Sequence, residues 1–389
     1  MTPTASIPFK FTSEQSEFRS GLRRYFEQSA PLSDVRKLME SDEGWSRDFW
    51  RGLNEQFGLC GIHIPEAYGG HGFGFTELGL VLEEMGRGLV CAPYFASTVL
   101  ATTALMNASS EAQKLSLLAP LAQGDAIATL AFSEPKAHWD VAHIRTTATP
   151  SNAIYRLDGV KTLVPDGCAA DLIIVAARHP GTSGANGLSL FLVRPGAKGL
   201  ERRPLKTLDR TRRLANIELR NVEAELLGDP GQAAKPLALT LAQATACLAN
   251  EMIGGAERLR NSALDYSKLR VQFGRPLAAF QSMKHTQADM LLDVELAKSA
   301  AYYAVAAADQ QAPDFLAAVS IAKAAASEAY LETALRTIQI HGGIGFTWDN
   351  DTHLWFRRAK SSEVFLGDAV FHRERFMRAH LQAERRNDA

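Results

Sequence analysis

Three long stretches of helical periodicity in the second half of the chain constrain its fold most. Leu237, Leu241, Ala244, Leu248, Met252, Leu259 and Ala263 keep to steps of three, four or seven. Met283, Met290, Val294, Ala297, Ala301 and Ala304 repeat the pattern, and Val319, Ala322, Ala326, Tyr330, Thr333, Thr337 and Ile340 repeat it again. Such spacing lays each apolar set along one helix face. Helices of roughly 25–30 residues with one apolar stripe each must bury it against one another, so short connections predict an antiparallel bundle.

The chain before this bundle reads differently. From Thr12 to about Gln123 the apolar spacing is again helical, with a loop at Pro65–Gly74 and a stop expected at Gly86–Gly88 after Leu78, Val81, Leu82 and Met85. From Ala126 to about Gly228 short β-type runs take over: Leu172–Val175, Leu188–Val193 and Asn216–Leu219. Asp158-Gly159 between Ala153–Leu157 and Val160–Val164 reads as a two-residue hairpin turn. The order is helical, β, helical, and the β segment predicts a compact antiparallel barrel or sandwich.

Composition narrows the function. The 389 residues carry 42 Lys+Arg against 43 Asp+Glu, a net charge of -1, which argues against nucleic-acid binding. No apolar run reaches the ~18–20 residues of a membrane span. Met1–Lys10 lacks a basic segment followed by an apolar one, and Cys60, Cys91, Cys168 and Cys247 are widely dispersed. A reduced cytoplasmic setting is expected.

Single motifs are weak. Gly69–Gly74 lacks G-x-G-x-x-G spacing, and Gly159-Val160-Lys161-Thr162 lacks the first glycine of a P-loop. The ten histidines show no metal-ligand spacing, and no G-x-S-x-G elbow is present. Arg270-Val271-Gln272-Phe273-Gly274-Arg275-Pro276 reads either as a pyrophosphate clamp or as an ordinary helix end with dipole-favoured cations. Gln339-Ile340-His341-Gly342-Gly343-Ile344-Gly345-Phe346 closes another helix with glycines that permit close backbone approach.

The motifs gain force from their order: Ile64–Gly70 with Leu82–Arg87, Phe132-Ser133-Glu134-Pro135 with Asp140, Asp158–Lys161, Arg270–Pro276 with Phe280-Gln281, and Gln339–Phe346 followed by Arg357-Arg358-Ala359-Lys360. In this order the chain resembles the acyl-CoA dehydrogenase family over nearly its whole length. The resemblance implies an α+β, mostly α fold. Its parts are an N-terminal helical domain (1–125), a middle antiparallel β-barrel (126–230) and a C-terminal four-helix bundle (231–389), assembled as a homotetramer or an α2β2 heterotetramer. It implies FAD, an acyl-CoA substrate oxidised to the 2,3-enoyl-CoA, and an electron-transfer flavoprotein as acceptor. Some bacterial members that act on steroid or other bulky acyl-CoAs are such α2β2 pairs, one chain supplying cofactor contacts and the other the base.

Carried over by position, Leu130, Phe132 and Ser133 match the strand against the flavin ring, and Leu163 and Pro165 match a second flavin-facing strand where Trp and Thr are usual. Arg270, Gln272, Phe273, Gln281, Gln339, Gly342 and Gly343 match FAD contacts across a subunit interface. His138 and Trp139 stand where the family has small residues and are expected to border the substrate channel with Leu366. The family's basic glutamate would fall at Leu366 or, in a second group, at Ala244; neither is a carboxylate. Asp368 and Glu251 are the nearest candidates, each also open to a structural reading, as a helix cap and as an ion-pair partner. The thioester carbonyl would be held by the backbone N–H of residue 366.

Overall fold

The computed structural model describes residues 10–136, 139–152 and 154–387, with side chains through Leu381. Six helices come first: α1 (Ser13–Ser29), α2 (Leu32–Glu40), α3 (Arg47–Phe57), α4 (Phe75–Gly88), α5 (Thr102–Ala108) and α6 (Glu111–Ala122). Seven strands follow: β1 (Ala128–Ala131), β2 (Thr147–Ser151), β3 (Ile154–Pro165), β4 (Leu172–Arg178), β5 (Leu188–Val193), β6 (Leu200–Pro204) and β7 (Leu214–Leu227). Then come α7 (Ala234–Leu269), a small hairpin of β8 (Val271–Gln272) and β9 (Arg275–Pro276), α8 (Gln281–Asp309), α9 (Phe315–His341), α10 (Thr352–Val364) and α11 (Ala369–Asn387). The chain packs as two compact units, and both are assembled from separate stretches of sequence.

The first unit comprises Met1–Val35, Phe75–Val90 and Thr245–Ala389. A capping box at Thr12 and Gln15 starts α1. α4 is buried on nearly every side, including the carboxylates of Glu83 and Glu84. α1 answers them with Arg19, 2.5 Å from Glu83, and Arg23, 2.7 Å from Glu84, while the Tyr302 hydroxyl of α8 donates to Glu83 at 3.0 Å. Burial raises the Glu83 pKa against the pull of Arg19. The helix ends at Gly88, within the expected stop, after running through Gly86. That glycine and Gly254 mark the α4–α7 crossing, where an added Cβ would lie 2.0 Å from the Glu251 carbonyl and 1.8 Å from the Glu83 carbonyl. No larger residue fits there.

The three long periodic stretches are α7, α8 and α9, and α9 is the most enclosed, with Val319, Ala322, Ala326, Tyr330 and Ala334 buried. The expected fourth helix is two. It breaks between α10 and α11 because Leu366 and Gly367 take left-handed φ values of 59° and 103°.

The second unit comprises Arg36–Gly74 and Cys91–Ala244. Its sheet runs β1-β4-β2-β3-β7-β5, with β6 on β7 and a further β4–β5 pairing that returns the order to β4. The antiparallel expectation needs correction: β1–β4 and β2–β4 are parallel. The chain between β1 and β4 runs out through β2 and β3 and back, and so gives the long connection that parallel pairing requires. Ala131, Leu157, Val164, Ile173, Phe191, Ile217 and Val222 fill the sheet's core.

Asp158-Gly159 is not a hairpin turn either. β3 passes straight through it with a shift of register against β7, and the turn lies at Asn152, between β2 and β3. Asp158 accepts from the Asn221 N–H at 2.8 Å, which holds the dipeptide in the ladder. Among the described residues no helix is long and apolar enough to cross a membrane.

Candidate functional site

In the second unit the end of β1 organises the expected flavin-facing residues. Leu130 is fully buried and paired with Ile174, and Phe132 and Ser133 continue the strand at 4% and 3% exposure. The Thr162 N–H donates to the Ser133 carbonyl at 2.9 Å, so β3 fixes the backbone there. Leu163 sits in a second register shift of β3 with φ 54°, a bulge that turns the strand toward buried Pro165, whose carbonyl accepts from Thr129 at 2.6 Å. The Ser133 hydroxyl is buried with no hydrogen-bond partner among the described residues. An orphaned buried hydroxyl is rare and marks a place for a ligand atom.

Beneath this strand end lies an ion pair, one partner buried and the other half-buried, that the motifs only framed. Lys161 is fully buried and donates to Glu134 at 2.7 Å and to the Phe132 carbonyl at 3.3 Å. Glu134 also accepts from the Arg145 N–H, the Thr146 N–H and the Thr146 hydroxyl. Burial pushes the Lys161 pKa down to about 8 although Glu134 pulls it up. Burial pushes the Glu134 pKa up, but Lys161 and Thr146 outweigh it and the net shift is downward. A cavity of about 340 Å³ opens beside the pair, lined by Phe132, Lys136, Asp140, His143 and Arg145 among others. Trp139 is half-buried, its ring 6.1 Å from that of Phe132. His138 lies outside the described residues.

In the first unit a different cluster forms at one end of the helices. Arg270 directly follows α7, and its N–H donates to the Tyr266 carbonyl. The β8–β9 turn places Phe273 (φ 52°) and Gly274 (φ 78°) at its tip, with Phe273 91% exposed. Two successive positive φ values suit a tight hairpin. Gln272 and Gln281 are exposed nearby, and an open cavity of about 510 Å³ is lined by Arg275, Ala279, Gln281, Lys284 and His285. Tyr266 also ties this end of α7 to the end of α9, stacking on His341 with ring centroids 4.3 Å apart. Exposed Gln339, Gly342 and Gly343 follow there, and a Cβ at either glycine would meet nothing within 4 Å. Lys284 and His285 were missed in the sequence because a Lys-His pair on a helix has no motif signature; only their step from Gln281 points to them.

The base candidates occupy structural posts. Asp368 is exposed and accepts from the Phe371 N–H at 2.8 Å, the geometry of an N-cap for α11. Glu251 is 4% exposed and pairs with Arg358 at 2.5 Å. Ala244 is fully buried and Leu366 is 4% exposed. The Leu366 carbonyl meets the His372 Nε2 at 2.9 Å, and burial pushes the His372 pKa down to about 4. Lys323, fully buried on α9, donates to the Gly367 carbonyl at 2.8 Å, the Glu363 carbonyl at 3.0 Å and the Ser327 hydroxyl at 3.0 Å. A lysine beside Ala322 and Ala326 on an apolar face was the signal available in the sequence, hidden within an alanine-rich run.

Sequence profiles described as the N-terminal, middle and C-terminal domains of acyl-CoA dehydrogenase match residues 12–125, 129–222 and 237–381. The chain is 34% identical over 332 residues to the acyl-CoA dehydrogenase IpdE2 of Mycobacterium tuberculosis, covering 85% of this chain and 86% of that protein. Among solved structures it is similar to a steroid ACAD, with TM-score 0.86 and 32% identity over 95% of this chain and 98% of the other. It is also similar to an FAD-dependent dehydrogenase, with TM-score 0.85 and 28% identity over 96% of this chain and 99% of the other.

Proposed function

This chain belongs to the acyl-CoA dehydrogenase family, and we propose that it serves the FAD-dependent oxidation of an acyl-CoA thioester to the 2,3-enoyl-CoA, with an electron-transfer flavoprotein as acceptor. FAD is the cofactor that the family and its solved relatives indicate. When bound it supplies the hydride acceptor. The residues present suit it. The buried, unpartnered Ser133 hydroxyl is the observation that carries the reading, because it offers a hydrogen bond that the chain itself leaves unused. Arg275, Lys284 and Gln281 around their open cavity, with Arg270 nearby, suit a pyrophosphate. The likeness to a steroid ACAD favours a bulky acyl group.

A second reading rests on the carboxylates. Removal of the α-proton needs an unengaged base. Asp368 caps a helix and Glu251 is locked to Arg358. The chain then acts as a cofactor-contacting partner of a sister chain that carries the glutamate. Anaerobic addition of a panel of short, branched and steroid acyl-CoAs to the purified flavoprotein separates the readings. Bleaching of the flavin by the chain alone supports the first, and bleaching only with a sister chain supports the second. Protein that takes up no FAD on reconstitution, either alone or with a sister chain, sinks both.

A further inference from the structure

The turn from Phe365 to Asp368 is held by more hydrogen bonds than a helix break requires. The three donors of the Lys323 ammonium are directed at two turn-side carbonyls, Glu363 and Gly367, and at Ser327. On the other side His372 meets the Leu366 carbonyl at 2.9 Å. An added Cβ at Gly367, whose φ is 103°, would lie 2.4 Å from the Phe371 ring, so only glycine fits this position of the turn. The carbonyls of Leu366 and Gly367 are thus both engaged, and the Leu366 N–H has no partner among the described residues. Leu366 is 4% exposed and left-handed at φ 59°. A buried residue that leaves its N–H free, on a turn clamped from both sides, is a donor kept for a ligand acceptor. Burying an ammonium is costly, and a helix end needs no lysine to cap it.

We propose that Lys323 is a positioning residue: it fixes the Leu366–Gly367 turn so that the Leu366 N–H is presented to the carbonyl of the bound acyl thioester. The inference rests on the acyl-CoA reading above. Lys323 acts through the turn and touches no substrate. Burial pushes its pKa down to about 7, against the opposing pull of Asp368 and Glu363, so the clamp is strongest on the acid side of neutrality. His372, on α11, faces the same turn and is neutral there.

The test uses isotope-edited infrared spectra of [1-13C]enoyl-CoAs, from crotonyl-CoA to cinnamoyl-CoA, bound to the FAD-loaded protein, with binding of coenzyme A measured alongside. In the wild type the bound carbonyl band should move to lower wavenumber than in free thioester. In Lys323→Met the band should return toward the free position. Its preference for thioester over coenzyme A should fall about tenfold, the worth of one hydrogen bond, with coenzyme A affinity unchanged. A merely structural lysine would weaken both ligands alike and leave the band in place, and that outcome overturns the proposal. Lys323→Leu, which likewise removes every donor, carries the same test if the methionine variant does not fold, and an unmoved band in it is equally fatal; Lys323→Gln, which keeps two N–H donors, should restore part of the shift. Failure of the wild type to bind any enoyl-CoA would instead overturn the acyl-CoA reading itself.

Discussion

Position 366 shows how one residue decides what a chain of this kind can do. The family resemblance puts a glutamate there, and this chain has a leucine, 4% exposed, on a left-handed backbone. Its neighbour Asp368 looks like a replacement in sequence, but its carboxylate is turned to the Phe371 N–H. Asn caps a helix as well as Asp does, whereas Ala does not. Asp368→Asn should therefore leave stability almost unchanged and Asp368→Ala should lower it by about 1 kcal/mol, as read in denaturant melts. Any turnover should survive the Asn change; its loss with the cap intact would make Asp368 the base. Leu366→Glu is the complementary change. The backbone already accepts a side chain at this φ, so the glutamate adds no new strain. Desolvation in the apolar site should raise its pKa toward a working base. Flavin bleaching by acyl-CoA should appear or strengthen in this variant, and a silent variant that still binds the ligand would show that more than the base is missing. The sequence offered Asp368 as cap or as base and could not choose between them, because the two roles share a residue type and differ only in where the oxygen points.

At the scale of elements, β3 shows where sequence reading succeeds and where it fails. The short runs on either side of Asp158-Gly159 announced strands, being rich in β-branched and aromatic residues and bounded by turn residues. The dipeptide announced a turn, yet the strand continues, because Asp158 bonds Asn221 and Gly159 lies where a Cβ would strike Thr146 at 2.6 Å. Turn chemistry is local, whereas close approach by another strand is not written in the dipeptide. The same strand carries Lys161 into the sheet to meet Glu134. Lys161→Met should leave the half-buried Glu134 without its cation but with the Arg145 and Thr146 donors, and cost about 1–3 kcal/mol. The pH dependence follows from the shifts. The folded Lys161 releases its proton near pH 8, whereas the unfolded chain holds it to about 10.5, so this group adds stability as pH rises between those values. Glu134, its pKa lowered, adds stability above the ordinary carboxylate range that is lost as pH falls through its folded value. The stability gap between the wild type and Lys161→Met should therefore widen from pH 8 to about 10.5, because the wild type gains over that range and the variant has no group there to titrate. A constant gap from pH 8 to about 10.5 would mean that Lys161 does not titrate there.

For the whole molecule, the order helical, β, helical could be read from periodicity, and the long helices fell close to where the apolar steps put them. The packing could not be read in the same way. The two compact units draw on interleaved stretches of chain, because buried carboxylates on α4 find their arginines on α1 and its glycines meet α7. Periodicity reports which face of a helix is apolar and not which partner covers it. The surface left uncovered poses the remaining question. Phe273 is 91% exposed, Phe346 72% and Trp348 55%, an aromatic set more extensive than isolated surface residues require. If this end of the helices meets another subunit over a shared flavin, cofactor retention and assembly should depend on the same residues. Arg270→Ala should then weaken FAD retention by about 1.5–3 kcal/mol, the worth of a charge-assisted hydrogen bond, and should shift native mass toward smaller species in the same samples. Flavin-to-chain stoichiometry distinguishes the assemblies. One FAD per chain in the isolated protein fits a homomer that builds complete sites. Substoichiometric flavin that becomes complete, with a doubled mass, only when a glutamate-bearing sister chain is added fits a heteromer. Full flavin content and unchanged mass in Arg270→Ala would remove this end of the helices from cofactor binding altogether.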